Sequence, residues 1–213
     1  MSPDPTDPSH KPTGPLTYIR EHPELDRADL KIISQRLGSS ASILDLGAGR
    51  GGFVREARER GLRAWALDIE ASAIPIWCAS GVRGLLADAF APPFQDRSFD
   101  VVRLKELIEH VEDPLSLVKS AVRLMRRDGL LVAHVPSPWS QLYPAGNFWD
   151  DYTHVRPFSR LGLLRLMEDS GMRVLSTEGY VLGRNVFESA LGKALSRVLP
   201  HTYRVLAEMA CAE

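Results

Sequence analysis

The residues Leu30, Ile32, Ile33 and Leu37 recur near helical spacing and Gly38 stops the pattern, which predicts a helix over 25–37. Beyond it, short apolar runs of strand character alternate with helical periods. The strand-like runs are ASILDLG (41–47), RAWALDI (63–69), RGLLAD (83–88), FDVVRLK (99–105) and GLLVAHVP (129–136), with helical patterns over 52–61, 70–80 and 114–126 between them. Such alternation implies parallel strands joined by right-handed crossovers. A helix over 159–171, a strand over 171–181, a helix over 186–199 and a last strand over 203–212 follow. Neither repeats nor a linker divide this region. The expected fold class is α/β, a Rossmann-like doubly wound sheet formed by one domain over 17–213, with its ligand at the carboxyl ends of the central strands.

One internal stretch obeys neither period. NFWDDYTHVRPFS (147–159) lies in a long connection that leaves the fifth strand, at the edge where a ligand is expected. Long loops in compact domains are often binding loops or lids. Trp139, Tyr143, Phe148, Trp149 and Tyr152 offer apolar and stacking surface, and Asp150, Asp151, His154 and Arg156 offer hydrogen bonds. Trp149, Asp150, Asp151, Tyr152 and Arg156 are therefore candidate substrate-binding residues. Arg156 can instead pair with Asp150 or Asp151, and Trp149 can anchor the loop in the core.

Composition excludes some classes of function. The 213 residues carry a net charge of −1, so no global field draws nucleic acid or an anionic membrane. No apolar run approaches the roughly 18 residues of a membrane-spanning helix. Residues 1–16 alternate Pro with polar residues, which predicts a disordered arm, neither signal nor transit peptide. Cys78 and Cys211 lie far apart in apolar settings, so each is expected as a buried free thiol, in keeping with a cytoplasmic protein.

The strongest chemical signal is ILDLGAGRGG (43–52), a strand that runs into glycines and then into a helix. Gly47, Gly49 and Gly51 let the backbone turn tightly and approach a ligand. Gly47, Gly49 and Gly52 also fit the spacing of nicotinamide-binding domains, so the glycines alone leave a dehydrogenase open. Three acids narrow the choice. Asp45 sets a carboxylate at the end of the first strand, where a cationic ligand gains and a pyrophosphate does not. Asp68 ends the second strand, at the distance usual for an acid that takes a ribose diol, and Asp88 ends the third, where it can receive the amino group of an adenine. Ile69 and Phe90 are apolar neighbours for such a nucleoside. Ala48, Ala89 and Lys105 complete the candidate cofactor contacts.

With DLGAGRG, Asp68 and Asp88 in these positions, the chain resembles the class I S-adenosylmethionine-dependent methyltransferases over roughly residues 25–213. The resemblance implies a seven-stranded sheet, mostly parallel with the last strand antiparallel, and S-adenosyl-L-methionine as cofactor. KELIEHVEDP (105–114), after the fourth strand, is similar to the ubiquinone-biosynthesis O-methyltransferases, which implies an oxygen acceptor and leaves room for a divalent cation such as Mg2+. If 106–110 form a helical turn, Glu106, Glu109 and His110 share one face. They can then bind such an ion, or His110 can act as general base. His154 is the other candidate base. The D-D-x-T-H-V-R-P-F pattern is similar to methyltransferases of glycan and surface-polysaccharide biosynthesis.

The fourth strand lacks the Asp/Asn-Pro-Pro-aromatic motif that grips a base nitrogen, and APPF (91–94) follows the third strand instead. With no basic stripe either, nucleic acid is not the expected acceptor. The expected partner is a small-molecule, glycan or lipid acceptor, methylated at a hydroxyl. Three alternatives stay open at this point: N-methylation of a small molecule or protein, a nicotinamide-dependent oxidoreductase, and a non-catalytic partner protein of the same fold.

Overall fold

The computed structural model describes residues 22–142, 147–181, 194 and 197–210. The predicted arm over 1–16, most of the predicted helix over 186–199, Tyr143 and Cys211 lie outside the described residues. Helix α1 (Pro23–Leu37) precedes strand β1 (Ser42–Leu46). Then come α2 (Gly52–Glu59), β2 (Arg63–Asp68), α3 (Ala73–Ser80), β3 (Gly84–Leu86), β4 (Phe99–Lys105), α4 (Pro114–Leu124), β5 (Met125–Pro136), α5 (Arg160–Asp169), β6 (Met172–Tyr180) and β7 (Thr202–Met209). The strands form one seven-stranded sheet in the order β3-β2-β1-β4-β5-β7-β6. Strands β1 to β5 pair in parallel, and β7 runs antiparallel to both β5 and β6.

Helices cover both faces, so the central strands are apolar almost throughout. All five residues of β1 are buried. On one face Leu44, Leu46, Val102, Leu104, Leu131 and Ala133 pack under α4 and α5 through Leu117, Ala121, Leu163 and Met167. On the other, Ile43, Ala66, Val101 and Val132 meet Leu30 and Ile33 of α1, Phe53 and Val54 of α2, and Trp77 of α3. Asp113 caps α4 by accepting the Ser116 N–H at 3.0 Å, and Pro114 fixes its first turn.

Three expectations need correction. Strand β5 begins at Met125, because the exposed polar run Arg126–Asp128 continues a strand whose alternation gives no apolar signal. Strand β3 is only three residues long, so Asp88 lies two residues past its end. Cys78 is exposed rather than buried, because α3 turns its other side, with Trp77, toward the sheet. No helix among the described residues is long and apolar enough to cross a membrane.

Candidate active site at the carboxyl edge of the sheet

After β1 the chain reverses through Gly47, Gly49 and Gly51, at φ 72°, 52° and 75°. Side chains are disfavoured there, and a Cβ on Gly51 would also meet Val82 at 2.9 Å and Trp77 at 3.0 Å. The turn is held from two sides. The Trp77 indole N–H donates to the Gly49 carbonyl at 2.9 Å. Asp68 Oδ2 accepts the Gly49 N–H at 2.7 Å, and its Oδ1 accepts the Glu70 N–H at 3.0 Å. Each oxygen of Asp68 keeps capacity for one more donor.

The Ala87 N–H donates to the Asp68 carbonyl at 2.9 Å, which keeps the ends of β2 and β3 adjacent. Asp88 is exposed beside them, its Oδ1 accepting the Phe90 N–H at 2.8 Å. Ile69 and Phe90 are exposed and Ala89 is half-buried, so the acids border apolar surface that a flat base can cover. Ala48 joins the turn, its N–H bound to the Leu67 carbonyl at 3.0 Å.

Asp45 and Lys105 meet different surroundings. Asp45 is buried, and its carboxylate faces Arg103 Nη1 at 3.2 and 3.4 Å. Burial nevertheless outweighs the attraction of Arg103 and pushes Asp45 up to about 6. Lys105 donates to Asp26 of α1 at 2.9 Å.

Past the end of β4, Glu106 lies at φ 50°, a strained conformation for a residue with a side chain. A 3-10 turn over Ile108–His110 comes next, so Glu106 lies outside the helical turn predicted over 106–110. Glu109 is fully buried and neither of its carboxylate oxygens has a partner; Oε1 of Glu106 is also buried and unpartnered. Burial pushes Glu106 up to about 7, and burial together with the Glu106 charge drives Glu109 well above the usual carboxylate range.

The long connection folds back onto this turn, with the Val155 N–H bound to the Glu109 carbonyl at 2.8 Å. It sets the His154 ring 4.6 Å from that of His110, and stacks it on Phe148 at 4.4 Å. His154 Nδ1 lies 2.5 Å from the Phe148 carbonyl, which can only accept, so Nδ1 carries a proton and Nε2 is the nitrogen left for other contacts. His110 Nδ1 lies 2.8 Å from Thr153 Oγ1, whose own proton goes to Asp151 Oδ1 at 2.6 Å. The bonds from Thr153 outweigh the upward effect of burial and hold Asp151 below the usual carboxylate range, so it stays an acceptor. His110 is thus also protonated on Nδ1, with Nε2 free. Burial and the nearby His154 lower its pKa, which favours the neutral imidazole. Glu109, His110 and His154 offer ligand atoms that all lie within 4.8 Å of one another.

Of the candidate metal ligands expected from sequence, Glu109 and His110 thus lie together with His154, and Glu106 lies outside that group. Of the candidate substrate residues, Trp149 at 58% and Tyr152 at 92% exposure present open surface. Asp150 caps a 3-10 turn with Asn147, and Asp151 serves Thr153. Arg156 donates to the Glu112 carbonyl at 2.9 Å rather than pairing with Asp150 or Asp151. Sequence reasoning missed Trp77, Arg103, Asp26, Asp29 and Thr153. Of these Arg103 left the clearest signal, a charge inside an otherwise apolar central strand, and Asp26 and Asp29 a weaker one, two acids on one face of the predicted helix.

Comparison with known proteins decides between the readings that the glycine spacing left open. The crystal structures of S-adenosylmethionine-dependent methyltransferases from Archaeoglobus fulgidus and Mesorhizobium loti share the fold. The TM-scores are 0.69 and 0.68, at 22% and 20% identity, over 89% and 85% of this chain and 95% and 96% of theirs. The ubiquinone biosynthesis O-methyltransferase of Leptothrix cholodnii is 27% identical over 198 residues, covering 80% of this chain and 81% of that protein. The protein of the same name from Pseudomonas fluorescens is 32% identical over 107 residues, covering 46% of this chain and 45% of its own length. The family model described as "Methyltransferase domain" matches residues 18–177, well over half of the sequence, and the chain belongs to that family as an S-adenosylmethionine-dependent methyltransferase.

Proposed function

We propose that the chain transfers the methyl group of S-adenosylmethionine to a hydroxyl oxygen of a saccharide, lipid or other small metabolite. The observation that carries this reading is the convergence of two imidazoles, His110 and His154, each tied through Nδ1, beside the unpartnered Glu109 carboxylate. Such a cluster can take the proton that a hydroxyl loses as its oxygen receives the methyl group. The O-methyltransferase names of the curated relatives support the same direction. In this reading Asp68 receives the ribose diol, Asp88 the adenine amino group, and Asp45 the ammonium of the amino-acid end. Trp149 and Tyr152 offer faces on which a sugar or apolar acceptor can stack. A cytoplasmic setting belongs to the same proposal, supported by an exposed free Cys78.

The chain's own residues hold the acceptor in line with the sulfonium, shield it from water and take its proton at Nε2 of His110 or His154. The same cluster fits a divalent cation, because both carboxylate oxygens of the buried Glu109 are unpartnered and the ligand atoms of Glu109, His110 and His154 converge. One carboxylate with two imidazoles suits Mn2+ or Zn2+ better than the Mg2+ expected from sequence. An ion held there would act as a Lewis acid toward an acceptor oxygen. Activity on a panel of hydroxylated metabolites and glycans, measured with EDTA and then with excess Mn2+ or Mg2+, tests the proposal. Loss with EDTA and return with the ion supports the cation reading. Activity untouched by EDTA leaves the imidazoles as bases and removes the ion.

A further inference from the structure

Toward the carboxyl edge, one sheet face changes from apolar to charged across neighbouring strands. Asp45 of β1 pairs in register with Arg103 of β4, Lys105 with His134 of β5, and His134 with Arg204 of β7. Helix α1 lays Asp26 and Asp29 over them. Arg103, almost completely buried, lies at the centre. Its Nε donates to Asp29 at 2.9 Å, its Nη2 to Asp26 at 2.5 Å and its Nη1 to both oxygens of Asp45 at 3.2 and 3.4 Å. The guanidinium also stacks on Phe53, 4.0 Å from the ring centroid.

These contacts fall in a pattern. Asp45 lies two residues before Gly47, and Phe53 two residues after Gly51, so Arg103 touches the chain on both sides of the glycine turn. A buried charge cluster of this kind stabilises a fold no better than apolar residues of the same volume, and often less. Stability alone therefore does not account for it. Asp26 and Asp29 hold the guanidinium by the short bonds, while Asp45 takes the longest contacts, through a single nitrogen. That leaves Asp45 the carboxylate of the three best able to serve a second cation.

We propose that Arg103 is a positioning residue for the cofactor: anchored by Asp26 and Asp29, it fixes Asp45 and Phe53 on either side of the glycine turn so that Asp45 receives the ammonium of S-adenosylmethionine. This inference rests on the assignment of Asp45 made above. It extends the cofactor site to α1, whose two acids act through Arg103 without touching the ligand.

Calorimetric titration of the full chain with S-adenosylhomocysteine and with 5′-methylthioadenosine, which lacks the amino-acid end, tests it. Arg103→Met should weaken S-adenosylhomocysteine about tenfold to a hundredfold. Binding of 5′-methylthioadenosine should change by less than about threefold, since a charge-assisted contact is lost only for the ligand that makes it. Arg103→Lys keeps the charge but cannot span three carboxylates, so it should show the same selectivity with a smaller loss. If Arg103→Met does not fold, the Lys variant carries the test alone, and equal losses for the two ligands, or none, overturn the proposal. Failure of the wild-type chain to bind S-adenosylhomocysteine would overturn the cofactor assignment and the positioning role together. A wild type that binds, beside a folded variant of undiminished affinity, overturns the positioning role alone.

Discussion

Glu106→Gln reports directly on the cost of burying a carboxylate just past β4. Burial lifts Glu106 from an ordinary 4.5 to about 7, a displacement that corresponds to about 3 kcal/mol. Because the folded state raises this pKa, the favourable contribution is fully present below about 4.5 and is lost as pH rises through about 7. At pH 8 with a chelator present the wild-type carboxylate is charged and buried, whereas the glutamine is neutral. The variant should then be more stable by about 3 kcal/mol, a rise in Tm of about 6–12 °C for a chain of this size. At pH 5 the difference should shrink to about 1 kcal/mol or less. His22, His110 and His134 have lowered pKa values and act in the opposite direction, but they are common to both proteins and cancel in the difference. Thermal melts followed by circular dichroism at pH 5 and pH 8, in EDTA, make the comparison. A variant no more stable than wild type at pH 8, or equally advantaged at pH 5, refutes the reasoning.

Other substitutions separate the parts of the site. Asp68→Ala removes both the proposed ribose acceptor and a bond to the glycine turn, and should weaken S-adenosylhomocysteine at least about tenfold by calorimetry; unchanged affinity sinks the ribose assignment. Thr153→Val breaks the chain from Asp151 to His110 while leaving the cofactor cradle alone. It should lower kcat with little change in cofactor affinity, and Thr153→Ser should restore it; an unaltered kcat means that the hydroxyl does not orient His110. His110→Ala and His154→Ala should each keep cofactor affinity and lose turnover, and single-turnover assays identify the base by the larger loss.

Much of the fold was readable because parallel strands buried on both faces leave continuous apolar runs, as in ILDL and VVRL, and the helices between them keep their period. The acids at the ends of β1 and β2 stood out for the same reason, since a carboxylate closing an apolar run has to face something polar, here Arg103 for Asp45 and the glycine turn for Asp68. What each acid touches was not readable. Asp45 meets Arg103 across 58 residues and His110 meets Thr153 across 43, contacts set by strand register and by the return path of the loop. Arg103 itself was a missed opportunity, because a charge on the Val101 face of a central strand must find partners, and Asp26 and Asp29 share one face of the predicted helix. The sharing of one site by His154 and Glu109 depends on the Val155 bond to the Glu109 carbonyl, which no local pattern encodes.

Transfer of the methyl group to oxygen can be followed with S-adenosylmethionine carrying a 13C-labelled methyl group. The chain is incubated with a panel of hydroxylated saccharides, lipids and metabolites that includes their amino analogues, and the product is read by NMR. The label should appear bonded to oxygen as a methyl ether, with the signal absent for His110→Ala combined with His154→Ala. A label bonded to nitrogen or carbon, or an ether formed at the full rate by the double variant, would contradict that expectation.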